Sequence, residues 1–355
     1  MKNKTELKTK KSIYFDYAAS TPIDPLVLKS MYPIFEKHYA NTMSIHSLGQ
    51  ETKDLLEKAR EEFAKILKVN AGEIIFTGSA SESNNFALKG ITNAHKNLGN
   101  HIIVSNIEHP CVLNSAHWLE KSGFKVDYLS VDKNGIVNLD ELESLINDST
   151  ILVSIMHVNN EIGVIEPIEK IGKIINNVKE NRQKRNIETP IFFHTDASQS
   201  FGKVDVNINK IGCDLLTLSS HKIYGPKGAG LLYIKKGTKI TPLIHGGGQE
   251  FGFRSSTVNL PAIVGFYKAA EIAIKRQKTD WQKALKLKTK IVKTLQTKLP
   301  NCYLNGTLNT QIPNIISIRF DYIEGESLVY LLDDNNICAS SASACASLSL
   351  SPSHV

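Results

Sequence analysis

Nowhere does this chain of 355 residues reach the roughly 18 consecutive apolar residues that a membrane-crossing helix needs, so no membrane association is expected. The opening stretch from Met1 to Lys11 is basic but lacks the apolar core of a secretory signal. It also lacks Arg and contains Glu6, which fits a mitochondrial transit peptide poorly. Cysteine is scarce. Cys111, Cys213, Cys302, Cys338 and Cys345 form no CxxC pair, and their odd number cannot be paired off in disulfides, so a reducing compartment, the cytoplasm, is expected. No basic stripe is interleaved with aromatics, so the net charge of +7 reads as a solvated surface. Nucleic acid is not an expected partner, and anionic small molecules or acidic proteins fit better. Also missing are the P-loop signature, a GxGxxG fingerprint after the first strand, HExxH and the GxSxG nucleophile elbow. His245-Gly246-Gly247-Gly248 without such an elbow reads as a glycine turn near an anion.

What is present is the composition of a globular protein, 41% hydrophobic and 22% charged, in a chain long enough for about two packed units. From Glu73 to Lys235 short β-branched runs alternate with longer amphipathic stretches, the sign of βα units and a largely parallel sheet. Strands are expected at Glu73 to Thr77, His101 to Asn106, Lys125 to Ser130, Ile151 to Val158, Ile191 to Ala197, Asp214 to Ser219 and Gly230 to Lys235. Helices such as Leu139 to Ile146 and Ile168 to Lys184 fill the gaps. After Pro261 the pattern becomes a helix through Lys278, a second from Trp281 to Leu299, and strands around Ile315 to Phe320. The expected division is a large α/β unit over residues 12–261 and a smaller one over 262–355, with the strand-like Ile13 to Asp16 packing against either.

In open α/β sheets ligands sit beyond the carboxyl ends of the strands. Here those ends carry Thr77-Gly78-Ser79-Ala80-Ser81-Glu82-Ser83, small residues opening a helix whose free N–H groups suit a phosphate. Then come Glu108-His109-Pro110, Asn159-Asn160-Glu161-Ile162-Gly163 and Asp196-Ala197-Ser198-Gln199. The last is Ser219-Ser220-His221-Lys222, running into a Gly/Pro turn. Taken singly, each has an ordinary structural explanation: an N-cap, a structural histidine, a surface lysine. Together they place a phosphate cradle, an imidazole, an amide, a carboxylate and an amine at one sheet edge. A partly desolvated lysine is a nucleophile toward carbonyls, and a pyridoxal aldehyde whose ring nitrogen pairs with an Asp meets that demand at Lys222.

In order, Asp16 to Pro22, Ser79 to Ser83, His157 to Gly163, Asp196 to Gln199, Ser219 to Gly228, His245 to Thr257 and Ser340 to Ser347 resemble the NifS/IscS-type cysteine desulfurases, from Tyr14 onward. The resemblance implies fold type I of the pyridoxal-phosphate enzymes, class V aminotransferase group, and a homodimer with active sites at the subunit interface. It implies that Lys222 is the Schiff-base lysine, His109 the stacking imidazole, Asp196 the partner of the pyridine nitrogen and Gln199 a donor to the ring oxygen. Ala80, Ser81, Ser219 and His221 match the phosphate cradle, with Thr257 reaching the neighbouring subunit's phosphate. Asn160 and Asn41 match polar groups at the substrate, L-cysteine, and Cys345 matches the sulfur acceptor that becomes a persulfide as alanine leaves. The implied role is sulfur supply for iron–sulfur cluster assembly or tRNA thiolation, through an IscU-type scaffold or another acceptor protein. No resident metal is implied, although Cys345 could ligate a cluster transiently.

The run Ser340-Ser341-Ala342-Ser343-Ala344-Cys345-Ala346-Ser347 is small and polar, and reads as a loop able to carry a thiol. Ten extended residues span about 33 Å. The other cysteines sit beside apolar runs and read as packing groups. The family pattern has Gly at the positions of Ala342 and Ser256, Arg at Phe251, and Asn-Pro-Ser at Asn41-Thr42-Met43. It also continues past the position of Val355 into a segment bearing the arginine that clamps the substrate carboxylate. Arg254, Arg276 and Arg319 do not match that arginine, so the small unit is expected to be incomplete. Another class V aminotransferase or lyase, and a cofactor-binding chain without turnover, stay open as alternatives.

Overall fold

The computed structural model describes residues 12–341 and 353–355, so Ala342 and Cys345 lie outside the described residues. In chain order the elements are β1 (Ile13–Tyr14), α1 (Pro25–Glu36), α2 (Ser47–Leu67), β2 (Ile74–Thr77), α3 (Ala80–His95), β3 (His101–Ser105), α4 (Pro110–Lys121), β4 (Lys125–Leu129), α5 (Leu139–Leu145), β5 (Thr150–Ser154), α6 (Ile168–Lys184), β6 (Phe192–Asp196), α7 (Ile208–Ile211), β7 (Leu215–Ser219), β8 (Gly230–Ile234), α8 (Leu260–Lys298), β9 (Cys302–Leu304), β10 (Ile318–Phe320), α9 (Gly325–Asp334) and β11 (Ile337–Cys338).

The expected mostly parallel sheet is present. Seven strands lie in the order β2-β8-β7-β6-β5-β3-β4, and β3 to β7 are all parallel. Only β8 runs against its neighbours β7 and β2, so β2 points the same way as the parallel set. Helices cover both faces, which requires strands that are apolar on both sides. In β7, Leu216 and Leu218 face one layer and Leu215 the other; in β8, Leu231 and Tyr233 oppose Leu232 and Ile234. One layer gathers α1, α2, α6 and the start of α8 around Phe63 and Phe266, both fully buried with ring centroids 4.7 Å apart. The other is built on Phe86 and Ile91 of α3 and Leu119 of α4.

The two helices expected after Pro261 are a single helix, α8, of 39 residues. Nothing between Phe266 and Lys298 is Gly or Pro, and Thr279-Asp280 alone does not break a helix. Its start is capped by Asn259, which accepts from Ala262 N, with Pro261 in the first turn where a missing N–H is harmless. The expected boundary at 261/262 falls in that turn.

Beyond α8, β9 pairs antiparallel with β10, and β1 pairs in parallel with β11, so the opening strand joins the C-terminal elements. Buried Lys288 donates to Gln311 Oε1 and Ile312 O, while Ile312 N donates to Gly163 O, which ties this region to the loop after β5. No residue of α9 is buried. Among the described residues no helix is long and apolar enough to cross a membrane.

Candidate active site

The carboxyl ends of β2, β3, β5, β6 and β7 meet around a cavity of about 290 Å³. α3 brings Ala80 and Ser81 to its wall, and the turn after β7 brings Ser219, His221 and Lys222. His109 comes from the start of α4, Asn160 from the loop after β5, and Asp196 and Gln199 from the end of β6. Asp16, Ala18 and Ala19 close one side.

Asp196 is 6% exposed and held from both sides: Oδ1 accepts from Ser198 N at 2.8 Å and Oδ2 from Asn84 Nδ2 at 2.6 Å. Both donors are neutral, so its charge stays available to a cationic partner in the cavity. Lys222 ends a short helical turn and donates from Nζ to Ala18 O at 2.6 Å and Ala19 O at 2.8 Å. These carbonyls hold the amine inside the cavity. His221 is neutral, its pKa brought down to about 4 by burial and by the charges of Lys222, Lys227 and Lys203.

His109 has two tasks. It is the N-cap of α4, and its Nδ1 accepts from Cys111 N at 3.1 Å. An acceptor nitrogen carries no proton, so the neutral ring bears its proton at Nε2. Burial, the largest influence, lowers the His109 pKa and favours that neutral form. Cys111 Sγ lies 3.0 Å from the same Nδ1 and accepts from Asn84 Nδ2 at 3.2 Å. Burial first, then the charge of Asp196, pushes its thiol up to about 12, which disfavours the nucleophilic thiolate.

At the α3 end, Ser79 accepts from Glu82 N as N-cap, and Glu82 pairs with Arg254 at 2.8 Å. Gly230 lets the backbone of Ser79 approach closely, since a Cβ there would stand 2.5 Å from Ser79 C. The cavity thus offers a helix N-terminus for a phosphate, a buried carboxylate for a protonated ring nitrogen, an imidazole and an amine for an aldehyde. Ser198 Oγ, on its wall, and Asn84 Oδ1 are buried with no hydrogen-bond partner among the described residues. These groups fit pyridoxal phosphate.

Ala80, Ser81, His109, Asn160, Asp196, Gln199, Ser219, His221 and Lys222 all meet at this cavity. Asn41 and Thr257 line a different one of about 270 Å³ beside Phe35 and Tyr39. Cys345 lies outside the described residues. Cys111, expected to be mere packing, lines the active cavity, as its place two residues after a capping histidine would have indicated. Asn84 had no such signal, because its link to Asp196 spans 112 positions.

Fold and site together define a pyridoxal-phosphate enzyme of fold type I. The family model described as aminotransferase class-V matches residues 13–355. A cysteine desulfurase IscS from Dictyoglomus turgidum is 45% identical over 346 residues, 98% of this chain and 85% of the relative. Another from Methanosarcina thermophila is 46% identical over 97% of this chain and 82% of its own length. A solved NifS-like protein superposes with a TM-score of 0.87 at 39% identity, covering 93% of this chain and 88% of that one. The structure of SspA in complex with cysteine gives 0.79 at 37% identity, covering 97% and 93%. The chain therefore belongs to the class-V aminotransferase family, among the NifS/IscS-type cysteine desulfurases.

Proposed function

We propose that the protein is a cysteine desulfurase. It breaks the Cβ–S bond of L-cysteine, forms an S–S bond at Cys345 and releases L-alanine, with Cβ taking up a proton. The observation that carries this reading is the meeting of Lys222, Asp196 and His109 at one cavity with the N-terminus of α3. A neighbour solved in complex with cysteine supports the substrate.

Pyridoxal phosphate bound there supplies an electron sink that weakens the bonds at the substrate Cα and Cβ. The first turn of α3, Ser219 and His221 would hold its phosphate, and Asp196 would pair with its ring nitrogen. Lys222 would attach the cofactor, and its amine is the group placed to move the proton at the substrate Cα. His109 holds a proton at Nε2 while Nδ1 caps α4, so at neutral pH it donates rather than accepts. Asn160, on the cavity wall, orients the substrate.

Thr257 serves the phosphate of a second copy in a homodimer. Supporting this, Phe35 and Tyr39 on the wall of the cavity that holds Asn41 and Thr257 are 63% and 73% exposed, and Tyr32, one turn before Phe35 on α1, is 66% exposed. The persulfide passes to an acceptor protein, an IscU-type scaffold or a tRNA-thiolating partner. A cytoplasmic setting is supported by the free thiols of Cys111, Cys213, Cys302 and Cys338. The test is L-cysteine added to cofactor-loaded protein, with alanine and persulfide both measured. They form in equal amounts if the reading holds, and pyruvate in place of alanine would refute it.

A further inference from the structure

Lys203 stands just behind the cavity wall, and none of the roles above uses it. After β6 the chain coils tightly, with Phe201 N donating to Ala197 O and Lys203 N to Ser200 O. This folds the lysine back on Gln199, so that Nζ donates to Gln199 O at 3.0 Å and to Gln199 Oε1 at 3.1 Å. Gln199 is 4% exposed and lines the cavity. Its Nε2 donates to Ala18 O at 2.9 Å, the same carbonyl that receives Lys222 Nζ at 2.6 Å.

An ammonium has donors and no acceptor. Turning the Gln199 amide over would set its NH2 against Nζ, donor against donor, so the ammonium fixes which way the amide faces. A cation on the carbonyl oxygen also polarises the amide and strengthens its N–H as a donor. Burial and the charge of Lys222 both work against the Lys203 ammonium and bring its pKa down to about 7. Among the described residues no carboxylate pairs with it to offset them, so keeping a lysine here is unfavourable to the fold alone.

We propose that Lys203 is a positioning residue: it locks the Gln199 side chain with N–H toward the cavity and strengthens that donor for the oxygen of a bound pyridoxal ring. The inference rests on the cavity being the pyridoxal-phosphate site. The test is titration of apoprotein with pyridoxal phosphate at about pH 6, where Lys203 is the ammonium, following the visible absorption of the bound cofactor, for wild type, Lys203→Met, Lys203→Arg, Gln199→Ala and Gln199→Ala/Lys203→Met. Losing a charge-assisted hydrogen bond should weaken binding about tenfold in Lys203→Met and shift the absorption maximum. Lys203→Arg should stay within about threefold of wild type, since it keeps the charge and donors. In the Gln199→Ala background, Lys203→Met should change affinity by less than about twofold. Lys203→Gln replaces Lys203→Met if the latter does not fold.

Unchanged affinity and spectrum in Lys203→Met would overturn the proposal. So would an equal loss with and without Gln199, or a change confined to the apoprotein's melting temperature. Wild type that takes up no cofactor would instead overturn the cavity assignment, and this inference with it.

Discussion

Glu108 is fully buried beside the active histidine, with Oε1 accepting from Ser105 Oγ and Met156 N at 2.7 Å each. Its Oε2 has no partner among the described residues. Burial, reinforced by the charges of Asp196 and Glu166, raises its pKa from 4.5 to about 8. Between those values the folded chain holds a proton that the unfolded chain has released. The stability this group contributes is therefore complete below 4.5 and is lost as pH rises to about 8. Glu166 is raised to about 8 in the same direction, again mainly by burial. Glu108→Gln stays neutral throughout, so its stability relative to wild type should increase steadily across that window in urea midpoints measured against pH. A difference independent of pH would contradict the protonated carboxyl. From sequence, Glu108-His109-Pro110 stands out only for its imidazole, because nothing local announces that the preceding carboxylate is sealed between β3 and the chain after β5.

The start of α4 couples an element's stability to the chemistry of one side chain. His109→Ala should lose the cap, about 1 kcal/mol, along with the imidazole. His109→Asn restores a capping oxygen, so its melting temperature should recover while alanine formation does not; parallel recovery of both would refute the donor role of Nε2. In the loop before α8, Ser256 has φ 134°, a backbone region in which glycine is at ease and a side chain is not. Ser256→Gly should stabilise by about 1 kcal/mol, read as a raised melting temperature, where a lowered one would show that the serine side chain is needed. The sheet strands were legible because each apolar run is short and bounded by polar or turn residues. Ile151 to Val158 overran β5, which stops at Ser154: Met156 N turns to the Glu108 carboxyl, although Ile155 N and His157 N still donate to His194 O and Asp196 O of β6. The break expected within α8 was a pause in apolar spacing with no breaking residue behind it.

For the molecule as a whole, α1 shows what sequence pattern can carry and what it can hide. Val27, Met31 and Ile34 pack into the core, while Leu28, Tyr32 and Phe35 on the same helix remain exposed. A helix apolar on two faces calls for a second covering surface. No such stripe was legible in the sequence, because only the fold tells which of these apolar residues the core takes. Tyr32→Glu combined with Phe35→Glu should convert a dimer to a monomer in sedimentation and weaken cofactor retention if Thr257 serves the neighbouring site. A double variant that sediments like wild type would rule this face out as the interface. In the proposed reaction the Lys222 cavity and Cys345 act together to transfer sulfur. Single-turnover measurement of alanine and persulfide in pyridoxal-phosphate-loaded protein, given L-cysteine, tests it most directly. Wild type should yield both in equal amounts, Lys222→Ala neither, and Cys345→Ala no persulfide. Full sulfur transfer by either variant would rule out a joint role for Lys222 and Cys345.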